Sequence, residues 1–127
     1  MLITVDFNSH TPIYTQLRDQ VVIGIAGRAL QAGEALPSVR RLAADIGVHA
    51  HTVNKAYAML QSEGYIAIDR RSGCHVSPEF PPADGPFEQA LREQLLPIAA
   101  AAAARGMEPA QFQAICGEIF QRLEEQT

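Results

Sequence analysis

The chain of 127 residues has no tryptophan and only two cysteines, Cys74 and Cys116. They lie far apart without any paired spacing, so neither a disulfide framework nor a zinc site is expected, and a reducing cytosol is the default compartment. No apolar run approaches the roughly 20 residues that span a bilayer. The longest weakly polar stretch, PIAAAAAA at residues 97–104, is short and alanine-rich. The N-terminus, MLITVDFNSH, lacks both a basic n-region and an apolar h-region, so it does not read as a secretory signal. There is also no Gly-rich phosphate loop, no nucleophile elbow and no HExxH motif, and Asp45 and Asp69 are isolated carboxylates. Nothing therefore marks an enzyme, a cofactor site or a metal site. What remains is a chain with 47% hydrophobic residues, long enough for one domain or one small domain with an appendage. A cytoplasmic protein away from membranes is the expectation.

The formal charge of −4 hides an asymmetry. Residues 1–78 carry seven Lys/Arg against six Asp/Glu, whereas residues 79–127 carry three against eight. A nucleic-acid reader needs a local basic face and not a basic protein. MLITVDF alternates Leu2, Thr4 and Asp6 with Ile3, Val5 and Phe7, which predicts a short strand. Thr11-Pro12 reads as an N-cap followed by a first-turn proline. It opens a helix whose apolar stripe is Ile13, Leu17, Val21 and Ile25, continuing to about Leu30. QAGEALP, residues 31–37, reads as a loop. Ser38 is a candidate N-cap for a short helix from Val39 to Ile46 that stops at Gly47. A third helix is expected from about Ala50 to Glu63, with Val53, Ala56, Tyr57 and Leu60 on one face and Gly64 closing it. YIAID and CHVS then read as two strands joined by RRSG, with Ser72-Gly73 supplying the turn. PEFPPADGP, residues 78–86, holds four prolines and reads as a linker. Beyond it, Phe87, Leu91, Leu95 and Ile98 mark a fourth helix with Pro97 as a kink point, and Gly106 ends it. Pro109 starts a fifth with Phe112, Ile115, Ile119, Phe120 and Leu123 as its stripe.

The second and third helices carry the strongest signal. A helix-turn-helix needs a small residue where its helices cross and a residue tolerating positive φ in its turn; Ala43 and Gly47 meet these needs. Leu42, Ile46, Val48 and Val53 would lock both helices onto the first. The third helix would then present His49, Ala50, His51, Thr52 and Asn54 to a major groove. Histidine, threonine and asparagine can bond base edges or phosphates, and Ala50 can touch a thymine methyl. Arg40, Arg41 and Lys55 suit phosphates or the groove mouth. Arg70 and Arg71 at the hairpin tip suit a narrow minor groove. The bland alternatives are a three-helix protein-interaction domain and a merely solubilising hairpin.

The stretch from PIYTQLRDQ to GCHV, about residues 11–76, resembles the DNA-binding domain of the GntR family of bacterial transcription regulators. LPSVRRLA, GVHAHTV, AYAMLQSEGYI and the GCHV closure carry the likeness. It implies a mainly α fold with a small β wing, a winged helix-turn-helix that binds a double-stranded DNA operator as a homodimer. It further implies a repressor released or modulated by a small-molecule effector. By that likeness Arg40 matches the helix-two DNA contact, His49, Ala50, His51, Thr52 and Asn54 the recognition-helix contacts, and Gly73 the wing glycine; Ser38 belongs to the same surface. Ala50 and Asn54 stand where many members have a basic residue, and Cys74-His75 replaces the usual Thr-Phe.

The tail is too short for a large effector domain. Its length and its PFEQALREQLLPIAAAAAARGMEPAQFQAICGEIF sequence resemble the YtrA subfamily, which implies a C-terminal helical dimerisation tail. Domains are expected at residues 1–77, a linker at 78–86 and the tail at 87–127. Phe87, Leu91, Leu95, Phe112, Ile115, Ile119, Phe120 and Leu123 are the dimerisation candidates, because two helices bury little of such stripes against each other. An enclosed pocket typically needs 300 Å³ or more, so an effector would sit between subunits or at the linker. Three rival readings stay open. His49, His51 and His75 could sense metal or pH, although His49 and His51 point about 200° apart on a helix. Cys74 or Cys116 could sense redox state, with Cys116 the better candidate for a buried, inert thiol. The protein could also be an architectural DNA binder without sequence preference.

Overall fold

The computed structural model describes residues 3–125. The chain divides into two compact units, one running through Pro81 and the other from Pro82 to Glu125. The first contains three helices, α1 (Ile13–Ala26), α2 (Val39–Ile46) and α3 (Ala50–Ser62), and an antiparallel hairpin of β1 (Ile66–Asp69) and β2 (Gly73–Val76). The second contains α4 (Gly85–Ala104) and α5 (Pro109–Glu125), packed together. Among the described residues no helix is long and apolar enough to cross a membrane.

The stripes of the first unit do what their spacing requires. Leu17 and Val21 of α1, Leu42 and Ala43 of α2, and Val53, Ala56, Tyr57 and Leu60 of α3 are all buried, with Leu30, Leu36, Ile66 and Val76 completing the core. Gly24 has a packing reason: a Cβ there would come within 3.0 Å of Leu30 Cδ1. α1 is shorter than its stripe suggests. Its N-cap is Pro12 and its C-cap Gly27, and Arg28 takes a left-handed conformation at φ 63°. The chain then turns back, and the Leu30 N–H donates to the Gly24 carbonyl at 3.0 Å. The stripe reaches Leu30 in space without the helix reaching it in sequence.

Residues 3–7 form no strand. No sheet edge lies beside them, and two glutamines of α1 serve instead. The Thr4 N–H donates to Gln20 Oε1 and the Asp6 N–H to Gln16 Oε1 at 2.8 Å. Gln20 and Gln16 return bonds from Nε2 to the carbonyls of Thr4 and Asp6. The alternation survives as packing for Ile3 and Val5, which lie against the core, while Phe7 is exposed. Met1 and Leu2 of that expected strand lie outside the described residues.

The loop after α1 is more ordered than its composition suggests. Ala35 bridges His75, the Leu36 N–H donates to the Cys74 carbonyl at 2.8 Å, the Gly33 N–H to the Val76 carbonyl at 3.0 Å, and the Val76 N–H to the Glu34 carbonyl at 2.8 Å. Residues 33–36 therefore act as a third strand on the free edge of β2, and they lead directly into α2. In the second unit, Asp84 caps α4 by accepting from the Phe87 N–H at 3.1 Å, and Pro86 sits in its first turn. The helix thus begins inside the proline-rich stretch that reads as a linker. It continues through Pro97 to Ala104, and Gly106 follows at φ 85°. Gln111 accepts from the Glu108 N–H at 2.8 Å, half of a capping box at the start of α5.

Candidate DNA-binding surface

α2 and α3 form the helix-turn-helix. Ser38 caps α2, its hydroxyl accepting from the Arg41 N–H at 3.2 Å. Gly47 ends α2 in a left-handed conformation at φ 74° and ψ 39°, which an L side chain adopts only under strain. Its amide donates to the Ala43 carbonyl at 3.0 Å, so the small residue at the crossing also receives the turn's closing bond. The two helices are tied again at the other end of α2: the buried Tyr57 hydroxyl donates to the Pro37 carbonyl at 2.8 Å. Burial pushes the Tyr57 phenol well above its ordinary range, with a smaller push from Cys74.

His49 is the N-cap of α3 but makes no side-chain cap, and no acidic residue lies in the first turn. The amides of Ala50 and His51 thus face outward with the positive end of the helix dipole unanswered by any carboxylate of the first turn, a ready place for phosphate. Ala50, His51, Asn54 and Lys55 are exposed and Thr52 is half-buried. The Lys55 ammonium lies 3.9 Å from the centre of the Tyr14 ring.

The wing adds its own cations. Asp69 pairs with Gly73 across the hairpin, leaving Arg70, Arg71 and Ser72 as the loop, so the turn falls one residue earlier than Ser72-Gly73. Gly73 sits at φ 82° with open space where a Cβ would be, so conformation and not crowding calls for glycine there. The Asp69 carboxylate accepts from the Arg71 backbone N–H at 2.9 Å and pairs with neither guanidinium.

This last detail generalises. The strongest ion pairing of the first unit belongs to Arg18, which forks onto Glu63 (Nε to Oε1 at 3.1 Å, Nη2 to Oε2) and donates to Asp19 at 3.0 Å. These carboxylates, Glu63 foremost, hold the Arg18 proton more firmly still. Arg41 has only an exposed contact to Asp45 at 3.9 Å. Among the described residues, Arg40, Arg70 and Arg71 make no ion pair. A near-neutral unit thereby keeps unneutralised cations on α2, α3 and the wing, with Arg28 in the loop after α1 also unpaired among the described residues. Ser38, Arg40 and Arg41 are exposed beside the 33–36 segment that bonds β2, so the start of α2 and the wing are neighbours.

His49, His51 and His75 do not gather with other donors; among the described residues no three His, Cys, Asp or Glu side chains could hold an ion together. The cysteines exchange the roles expected of them. Cys74 is half-buried at the wing and its thiol is pushed up by that burial, whereas Cys116 is exposed on α5. Tyr14 falls on the α1 stripe, between Val21 and Ile25 around the helix, where its pattern marks it as core, and only the packed structure brings it to Lys55.

In the second unit no side chain of α4 or α5 is buried. Phe112 and Leu123 are half-buried, but Phe87, Leu91, Leu95, Ile115, Ile119 and Phe120 are exposed, Phe120 by 69%. A shallow depression of about 240 Å³ lies at the hairpin's closed end, walled by Ala99, Ala102, Ala103, Met107 and Phe112.

A helix-turn-helix followed by a basic hairpin defines a winged-helix DNA-binding protein. The sequence profile of the gntR family of bacterial regulatory proteins matches residues 13–76, and the chain belongs to the GntR family. The HTH-type transcriptional regulator Rv1152 of Mycobacterium tuberculosis is 39% identical over 89 residues, 70% of this chain and 73% of that protein. The HTH-type transcriptional repressor YtrA of Bacillus subtilis is 40% identical over 76 residues, covering 60% of this chain and 58% of its own length. The structure of YtrA from Sulfolobus acidocaldarius, a GntR-family transcription factor, superposes with a TM-score of 0.66 at 37% identity over 79% of this chain and 99% of that one. These likenesses place the chain with the YtrA-like members. It is a DNA-binding transcription regulator.

Proposed function

We propose that the protein is a sequence-specific repressor that works in the cytoplasm and binds a two-fold operator as a homodimer. The observation that carries this reading is where unneutralised charge gathers: Arg40 on α2, the open N-terminus of α3 and Arg70 and Arg71 on the wing stay free, with Arg28 after α1 the one other unpaired arginine of the unit among the described residues, while its carboxylates engage Arg18, Arg41 or backbone amides. α3 enters the major groove with Ala50, His51, Thr52 and Asn54 against base edges. Ser38, Arg40, Arg41, His49 and Lys55 hold phosphates, and the wing arginines lie along the adjoining minor groove with Gly73 shaping the tip. The exposed apolar faces of α4 and α5 are covered by the second subunit, which sets the spacing of two recognition helices. The name of the Bacillus YtrA relative supports repression as the outcome. A small effector would act through the dimer contact, since the depression in the helical hairpin is open and small.

The test is fluorescence anisotropy with the full chain on the DNA upstream of its own gene, against a scrambled duplex, across a salt series. A preference of about 10³ or more supports a specific regulator. Equal, steeply salt-dependent binding to both duplexes would replace this reading with an architectural one.

A further inference from the structure

The only lysine of the chain, Lys55, holds its ammonium 3.9 Å from the centre of the Tyr14 ring. We propose that Tyr14, on α1, is a positioning residue for DNA binding: the face of its ring holds the Lys55 ammonium where α3 meets the phosphate backbone. The proposal rests on the DNA-binding reading above.

A lysine is a hydrated point charge on a four-carbon stem, and fixing it against a phosphate costs the rotamer freedom of that stem. The ring removes part of this cost before DNA arrives. Tyr14 is itself fixed, because it packs against the core as a partly buried residue of α1. Among the described residues no carboxylate competes for the ammonium. A quadrupole also differs from a carboxylate in what it leaves behind. Glu or Asp at that place would neutralise the charge and have to be displaced by DNA, whereas the ring holds the ammonium with its full charge and with N–H groups still pointing to solvent. The Tyr14 hydroxyl has no hydrogen-bond partner among the described residues, so the ring face is what the structure puts to use.

Because Lys55 is the only lysine, its ε-methylene signals in a protein labelled with ¹³C-lysine are unambiguous. In the free full-length chain these protons should lie upfield from ring current, remain so in Tyr14→Phe and return to ordinary positions in Tyr14→Leu. The binding arm uses a fluorescent duplex selected from a random pool by the wild-type chain. Tyr14→Phe should bind it within twofold of wild type, and Tyr14→Leu about three- to fivefold more weakly. Lys55→Gln should weaken binding and lower the log–log salt slope by about one. Adding Tyr14→Leu to Lys55→Gln should cost nothing further, because the ring acts only through the lysine. Losses that multiply in the double variant would overturn the proposal, as would a Tyr14→Phe variant as weak as Tyr14→Leu, which would make the hydroxyl itself the contact. An unchanged salt slope in Lys55→Gln would also overturn it, by removing Lys55 from the phosphate contacts. Failure of the wild-type chain to select any duplex would instead strike the DNA-binding reading.

Discussion

At the scale of single residues, function depends on which charges are left free. Arg18 and Arg40 are the same amino acid in the same unit, yet one is clamped by Glu63 and Asp19 and the other has no partner among the described residues. Arg18 therefore serves the fold and Arg40 is available to DNA. Arg40→Ala should weaken operator binding by about 1–3 kcal/mol in anisotropy titrations while leaving the melting temperature unchanged; unaltered affinity would remove α2 from the docking geometry. Tyr57 carries the opposite role. Its hydroxyl ties α3 to Pro37 just before α2, and burial raises its pKa. Tyr57→Phe should cost about 1 kcal/mol in urea unfolding. The raised Tyr57 and Cys74 groups also give stability a pH dependence. Both are neutral acids in the folded chain, and the unfolded chain releases their protons first, near the ordinary pKa of about 10 for Tyr57 and about 8.5 for Cys74. Stability from this source is complete below those values and falls as pH rises through and above them. The urea midpoint should thus be flat at neutral pH and decline above about pH 9, less steeply in Tyr57→Phe.

At the scale of elements, the helices of the DNA-binding unit were legible because each signal there is local. Ser38, Gly47 and Gly64 mark ends through a cap or a positive φ, and the stripe of Val53, Ala56, Tyr57 and Leu60 is buried throughout. The illegible parts depend on residues distant in sequence. Nothing in QAGEALP says that residues 33–36 will pair with β2, forty residues on, and nothing in MLITVDF says that Gln16 and Gln20 will take the place of a neighbouring strand. Tyr14 escaped for the same reason, since its partner Lys55 is far along the chain. Cys116 is exposed and not buried, because an apolar stripe does not say which of its neighbours another helix will cover. The wing was legible as a hairpin, and its turn is set by Gly73 at φ 82°. Replacing Arg70 and Arg71 together with alanine should leave folding intact, because neither side chain makes a contact that holds the hairpin. It should also lower the salt slope of binding by roughly one for each arginine that meets a phosphate. A slope equal to that of wild type would make the wing a bystander.

At the scale of the whole molecule, the two units have opposite chemistries. The first closes its core, with Leu17, Val53, Leu60 and Val76 at most 1% exposed, and keeps its free cations outside. The second buries no side chain of its helices and carries the whole of the chain's acid surplus. Apolar side chains as exposed as Leu96 at 70% and Phe120 at 69% are costly in water, at about 25 cal/mol per Å² of apolar surface left uncovered. The acidic charge of this unit makes it a poor DNA contact, which supports the proposal that a second copy covers it without opposing the function of the first unit. Dimerisation on this reading raises affinity through effective concentration, because binding one half-site presents the second recognition helix to the other at close range. Deleting residues 87–127 should accordingly give a monomer in sedimentation velocity that still folds and still prefers operator over scrambled DNA. Its affinity should be lower by about 10²–10⁴, the factor typical of a lost linked contact. Fusing an unrelated parallel coiled coil after residue 86 should recover much of that loss if dimerisation is the tail's contribution. A truncated chain that sediments as a dimer would show that the first unit associates by itself. Recovery of dimers by the fusion without recovery of affinity would mean that α4 and α5 set the spacing of the half-sites and do more than hold two copies together.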